Sequence, residues 1–182
     1  IYASSSSVYG DRMMGGKGFR EDEPAVSPVS LYAATKRSCE LMSDCYSHLY
    51  SITQAGLRFF TVYGPRGRPD MPYFSFTPLT QARVPIEVYG QGRMARDLTY
   101  IDDIVDGVVG VLDADVPAGS HEVYNIGENS PVGLMDMIGT LERVIGREAV
   151  KVMRPMQPGD VTATFADISK LNALTGYTPG VT

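Results

Sequence analysis

The chain opens IYASSSSVYG, Ile1 to Gly10. As a linker, four serines in a row would carry no message about architecture. As a strand, Ile1 to Ser4 delivers a serine-rich loop to one end of a sheet. The neighbouring segments favour the strand. Asp11 to Ser30 is rich in Gly, Pro and charge and reads as a surface loop. Leu31 to Tyr50 then carries an unbroken helical pattern, with Ser30 placed to cap it. Ser51 to Phe60, ending in Leu57, Phe59 and Phe60, reads as the next strand. Strand, helix, strand is the unit of a parallel sheet.

The alternation continues. The YGPRGRPDMP run, Tyr63 to Pro72, is a loop. Tyr73 to Arg83 is a short helix that Pro78 interrupts. Ile86 to Tyr89 is a strand closed by a Gly-Gln-Gly turn. Ile101 to Asp113 is a helix with Asp102 and Asp103 at its positive end. Glu122 to Ile126 is a strand, and Ser130 caps a helix over Pro131 to Ile145 that Gly146 stops. Lys151 to Arg154 is a strand, and Asp167 to Leu174 a last helix. The expected class is α/β: the C-terminal part of a Rossmann-like parallel sheet beside a smaller α/β lobe. The expected division is residues 1–65 for the sheet with its long helix, and residues 66–182 mainly for the lobe, some segments returning to the sheet. Ligands of such folds bind at the carboxyl ends of the strands.

Composition sets outer bounds. The chain has 182 residues, 43% hydrophobic and 20% charged, as in ordinary globular proteins. A net charge of −5 argues against nucleic acid as a partner. No apolar run reaches the length of a membrane span. Cys39 and Cys45, six apart on one helix, point to different sides and do not pair. They fit a reducing, cytoplasmic setting. Neither they nor His48 and His121 have metal-ligand spacing, so no metal is expected.

The chemistry concentrates in LYAATK, Leu31 to Lys36. Tyr32 and Lys36 lie four apart, on one face of the helix. A tyrosine hydroxyl works as a base at neutral pH only when a nearby cation stabilises the phenolate. The serine loop before the helix can offer a hydroxyl to the same site. A Tyr-x-x-x-Lys spacing alone is common on helix surfaces; the loop makes it informative.

These residues resemble the extended short-chain dehydrogenase/reductase enzymes that act on nucleotide sugars. YASSSSVYG, SLYAATK, GLRFFTVYGPRGRPDM, RDLTYIDDIV, VYNIG and QPGDV together resemble, in order and spacing, the UDP-glucuronate 4-epimerases. The resemblance implies NAD as cofactor, a UDP-sugar as substrate, and Ser5, Tyr32 and Lys36 as the catalytic set. Tyr32, Lys36 and Phe59 would meet the cofactor. Ser6, Ser7 and Thr61 would meet the sugar carboxylate, which small hydroxyls can bond in more than one pose. Arg68 and Arg96 would hold the diphosphate, Tyr89 would lie near the uracil, and Asp160 would bond the ribose. Relatives commonly carry Trp at Arg66, which is a departure.

Other readings compete. UDP-glucose 4-epimerases, dehydratases and decarboxylases share the catalytic set. Dehydratases typically place Asp-Glu after the catalytic Thr, where this chain has Ser6 and Ser7. A non-catalytic sugar-nucleotide-binding module has no need of a tuned tyrosine. The resemblance also implies a Gly-rich turn for the pyrophosphate. GGKG, Gly15 to Gly18, follows no hydrophobic strand and does not supply it. The expectation is therefore a chain that starts partway through its sheet, stops before a final helix, and is inactive alone. Relatives often pair through the Tyr-Lys helix, so residues 31–50 are a candidate homodimer face, with packing on the sheet as the default for their apolar side.

Overall fold

The structure is a computed structural model and describes residues 1–11 and 17–181. Gly15 and Gly16 of the GGKG run, and part of the loop after Gly10, lie outside the described residues.

Strand β1 (Tyr2–Ser5) runs parallel to β2 (Gln54–Phe59), and helix α1 (Leu31–Tyr50) connects them. A third strand, His121–Ile126, pairs parallel with the other edge of β2, giving three strands with β2 central. Ser30 caps α1 by accepting the Ala33 amide at 3.1 Å. Ser51, in the left-handed region, ends the helix, so β2 begins at Gln54 rather than at Ser51.

The rest of the chain builds two smaller sheets. Strand β3 (Thr61–Tyr63) pairs parallel with β5 (Ala95–Tyr100), and β5 pairs antiparallel with β7 (Pro131–Gly133). Strand β4 (Ile86–Val88) pairs parallel with β8 (Lys151–Met153); the strand His121–Ile126 takes the label β6. Helix α2 (Pro72–Gln81) and α4 (Leu134–Ile145) close this lobe over Ile86, Val88 and Ile138. Helix α3 (Ile101–Asp113) and α5 (Ser169–Thr175) cover the main sheet, burying Leu57, Ile104, Tyr124, Ile126 and Leu171 together. None of the described helices is long and apolar enough to cross a membrane.

Three further expectations change. Pro78 does not interrupt α2, which runs through it to Gln81. One hydrogen bond is lost, but Phe76 and Leu79 on either side pack into the lobe core and hold the helix. Ser130 does not cap a helix at Pro131: residues 131–133 pair with β5, and α4 starts at Leu134 with Gly133 as its cap. The apolar side of α1 does not pack on the sheet. Leu41, Met42, Tyr46 and Leu49 are exposed, while Ala33, Glu40 and Ser47 are buried. A charged residue can face the sheet here because Arg58 on β2 pairs with Glu40.

The serine loop leaves β1 as a single 3-10 turn, Ser6–Tyr9, closed by Gly10 at φ 73°, ψ −167°. That backbone region is open essentially to glycine alone. A Cβ on Gly10 would also stand 2.3 Å from the Ser27 carbonyl oxygen. Gly10→Ala is expected to destabilise the fold by about 1–3 kcal/mol from backbone strain, with the collision adding to it. Thermal unfolding of the whole protein measures this; an unchanged melting temperature would contradict it.

Candidate active site

The carboxyl ends of β1 and β2 point toward two adjoining cavities. The larger, about 850 Å³, is lined by Tyr32, Thr61, Arg68, Tyr89, Arg96 and Asp160, among others. The smaller, about 440 Å³, is lined by Ser5, Ser6, Phe59, Thr61 and Arg68. Thr61 and Arg68 belong to both, so the two spaces meet at the start of β3.

Each candidate has a definite surrounding. Ser5 ends β1, and its Oγ accepts from the Ser7 amide at 3.2 Å and the Ser7 hydroxyl at 3.0 Å. Ser7 thus serves Ser5 and does not line either cavity, while Ser6 does line the smaller one. Tyr32 opens α1 in a half-open position, and among the described residues its hydroxyl makes no hydrogen bond. The Lys36 ammonium stands 5.8 Å from the Tyr32 ring centre and donates to the Ala3 carbonyl at 2.9 Å. The helix therefore presents Tyr32 and Lys36 together, and Lys36 also ties α1 to β1. No hydrogen bond joins Ser5 to Tyr32; Ser5 lines the smaller cavity and Tyr32 the larger, and Thr61 is among the residues that line both.

On the wall of the larger cavity, Arg96 and Asp160 meet at 2.6 Å, 64 residues apart in sequence. The same guanidinium donates to the Ala95 carbonyl at 2.9 Å, which holds it against its own strand beside the cavity. Tyr89 donates to Glu87 at 2.6 Å, and Arg154 pairs with Glu87 at 2.8 Å. The Tyr89 hydroxyl, followed by Arg154, holds the Glu87 carboxyl below the usual carboxylate range. Arg68 is exposed beside Asp70 at 3.4 Å and lines both cavities. Arg66 sits at φ 64° on the exposed turn and lines only the smaller cavity.

Asp97, beside Arg96, had no expected role. It is fully buried and accepts the amides of Glu128 at 2.6 Å, Ala166 at 2.8 Å and Asn129 at 3.1 Å. It fastens the loop after β6 and the segment at Ala166 to β5, and so fixes the strand that carries Arg96. Its signal is an acid among apolar residues in RDLTYI, but an acid beside an arginine reads first as surface.

The sequence profile of the NAD dependent epimerase/dehydratase family matches residues 1–127. The chain belongs to that family. The epimerase/dehydratase assignment agrees with the parallel sheet and with the Tyr32–Lys36 helix packed across its face. Protein CapI of Staphylococcus aureus is 47% identical over 186 residues, covering 94% of this chain and 55% of its own. A probable UDP-glucuronate 4-epimerase of Rhizobium meliloti (strain 1021) is 43% identical, covering 100% of this chain and 57% of its own. Among solved structures, the UDP-glucuronic acid 4-epimerase of Bacillus cereus in complex with UDP-glucuronic acid and NAD is 37% identical. It superposes with a TM-score of 0.91 over 99% of this chain and 56% of that one. The chain thus spans about half the length of the relatives it matches.

Proposed function

We propose that this chain supplies the catalytic helix and the sugar-nucleotide lobe of an NAD-dependent 4-epimerase that interconverts UDP-glucuronate and UDP-galacturonate. The observation that carries the reading is the shared cavity: Tyr32 and Thr61 line the same space as Arg96 and Asp160. Its volume suits a sugar nucleotide. Likeness to relatives named as UDP-glucuronate 4-epimerases supports the uronate choice.

The residues fit the nicotinamide end of NAD. The Tyr32 hydroxyl is unpartnered among the described residues, Lys36 bonds one acceptor and keeps further N–H groups, and Phe59 walls the space beside Ser5. Tyr32, Lys36 and Phe59 would hold that end of the cofactor. Bound NAD would supply reversible hydride transfer at C4 of the sugar. Tyr32, as a phenolate that the Lys36 ammonium stabilises, takes the proton from O4 and later returns it. Ser5, oriented by Ser7, steadies O4. Ser6 and Thr61 offer hydroxyls to the carboxylate in either pose of the turned sugar. Arg96 grips the diphosphate, and Asp160 accepts from the ribose. Arg68 reinforces the diphosphate end, and Tyr89 borders the base.

Removing Arg96 deletes a charge-assisted contact of about 1.5–3 kcal/mol, so Arg96→Ala is expected to raise KM for the UDP-sugar roughly 10- to 100-fold. Steady-state kinetics on the whole protein decide it, with kcat the less affected constant. The exposed apolar face of α1 also supports pairing of two copies through residues 31–50. Sedimentation of the whole protein checks that, with Leu41→Glu expected to give monomers. The substrate is tested by incubating the whole protein with UDP-glucuronate and NAD. Appearance of UDP-galacturonate is the expected result. Conversion of UDP-glucose in its place would overturn the uronate reading.

A further inference from the structure

One row of the main sheet is polar and buried from edge to edge. Ser4 on β1, Arg58 on β2 and Asn125 on β6 are register neighbours, and each is almost fully buried. Above this row lies Glu40, two helical turns after Tyr32 and one after Lys36, with its side chain wholly buried. Arg58 bonds both Glu40 oxygens, Nε at 2.8 Å and Nη2 at 3.0 Å. The Ser4 hydroxyl donates to Glu40 at 2.6 Å, and Arg37 adds a fourth donor at 2.7 Å. Burial pushes the Glu40 carboxyl up, but the bonds from Arg58 and Ser4 outweigh it and hold it below its usual range.

The pair grips the serine loop at both ends. Ser4, bonded to Glu40, immediately precedes Ser5. Tyr9, which closes the turn after Ser5, lies under the Arg58 guanidinium, 4.7 Å from its ring centre. The Tyr9 hydroxyl then donates to Asn125 at 2.7 Å, in the same polar row. The carboxylate itself comes from the helix that carries Tyr32 and Lys36. A buried ion pair is a poor source of stability, since apolar replacements of like volume are often neutral. Its worth lies in geometry, because a guanidinium fork fixes a carboxylate in one orientation.

We propose that Glu40 and Arg58 are positioning residues: the pair sets the Ser5 loop against the Tyr32–Lys36 helix so that the three groups share one substrate. The proposal rests on the catalytic roles given above. It is tested in the whole protein by Ser4→Ala and by the paired change Glu40→Leu with Arg58→Met. The paired variant is expected to melt near wild type, because no charge is left buried alone. Yet its kcat is expected to fall about 100-fold with KM within about 2-fold, the signature of displaced reacting groups. Ser4→Ala is expected to lower kcat about 10-fold, since it loosens one end of the loop only. Amide hydrogen exchange at residues 5–9 is expected to speed up in both variants, with the rest of the sheet unchanged. Wild-type kcat and wild-type exchange at 5–9 in the paired variant would overturn the proposal. A whole protein that turns over no UDP-sugar would overturn the epimerase reading, while the exchange measurement still decides whether the pair positions the loop.

Discussion

Tyr32→Phe is expected to lower UDP-sugar interconversion by about 10²–10⁴-fold, the usual contribution of a positioned acid–base group. The substitution removes one oxygen and keeps the ring, so the helix and the cavity wall remain. The hydroxyl bonds nothing else among the described residues, so its removal leaves no stranded partner. Binding of the UDP-sugar is expected to stay within about 3-fold, because Arg96 and Asp160, which line the same cavity, are untouched. Turnover by product analysis, with affinity by calorimetry, separates the two effects. A Tyr32→Phe enzyme working at full rate would remove Tyr32 from the chemistry.

Asp97→Ala is the substitution with the largest expected cost to stability. Three amides, of Glu128, Asn129 and Ala166, lose their acceptor in a buried place. Each stranded donor costs about 1–3 kcal/mol, so a loss of about 3 kcal/mol or more is expected. At ~2–4 °C per kcal/mol for a chain of this size, the melting temperature falls by roughly 10 °C. Titration gives a second mark. Burial raises the Asp97 carboxyl above its usual range, against the pull of the Ala166, Glu128 and Asn129 amides. A raised acid contributes most below its unfolded value and loses that contribution as pH rises through the folded one. Glu40 is lowered, so its contribution is present above the unfolded value and is lost as pH falls through the folded one. Acid unfolding that weakens in the Glu40→Leu, Arg58→Met pair is therefore expected.

Local signals are easy to read in the sequence, and distant ones are not. Helix α1 shows its own cap, Ser30, and its bounds match Leu31–Tyr50. Helix α3 likewise matches Ile101–Asp113. Tyr32 and Lys36 are legible because four residues on a helix guarantee proximity. Strand β5 is hidden because its pattern is inverted: Asp97 and Thr99 point inward, while Arg96 and Leu98 line the cavity. Hydrophobic alternation does not find a strand whose buried side is polar. Strand β7 hides behind Pro131, which reads as the first turn of a helix until β5 is there to pair with it. The Glu40–Arg58 pair joins residues 18 apart on different elements, and an acid in the middle of a helix reads as solvated surface. Its mark in the sequence is the repeat of four: Tyr32, Lys36, Glu40.

The contact between Arg96 and Asp160 carries a consequence for which guests the cavity admits. Before anything enters, the guanidinium is already satisfied by one carboxylate. A newcomer gains from it only by offering more negative charge than that single acid. On the proposed function, a diphosphate would do so and free Asp160 for hydroxyl groups, whereas an uncharged nucleoside would meet an arginine already engaged. On that reading the pair would act as a threshold set by charge, sorting guests at Arg96 independently of the chemistry at Tyr32.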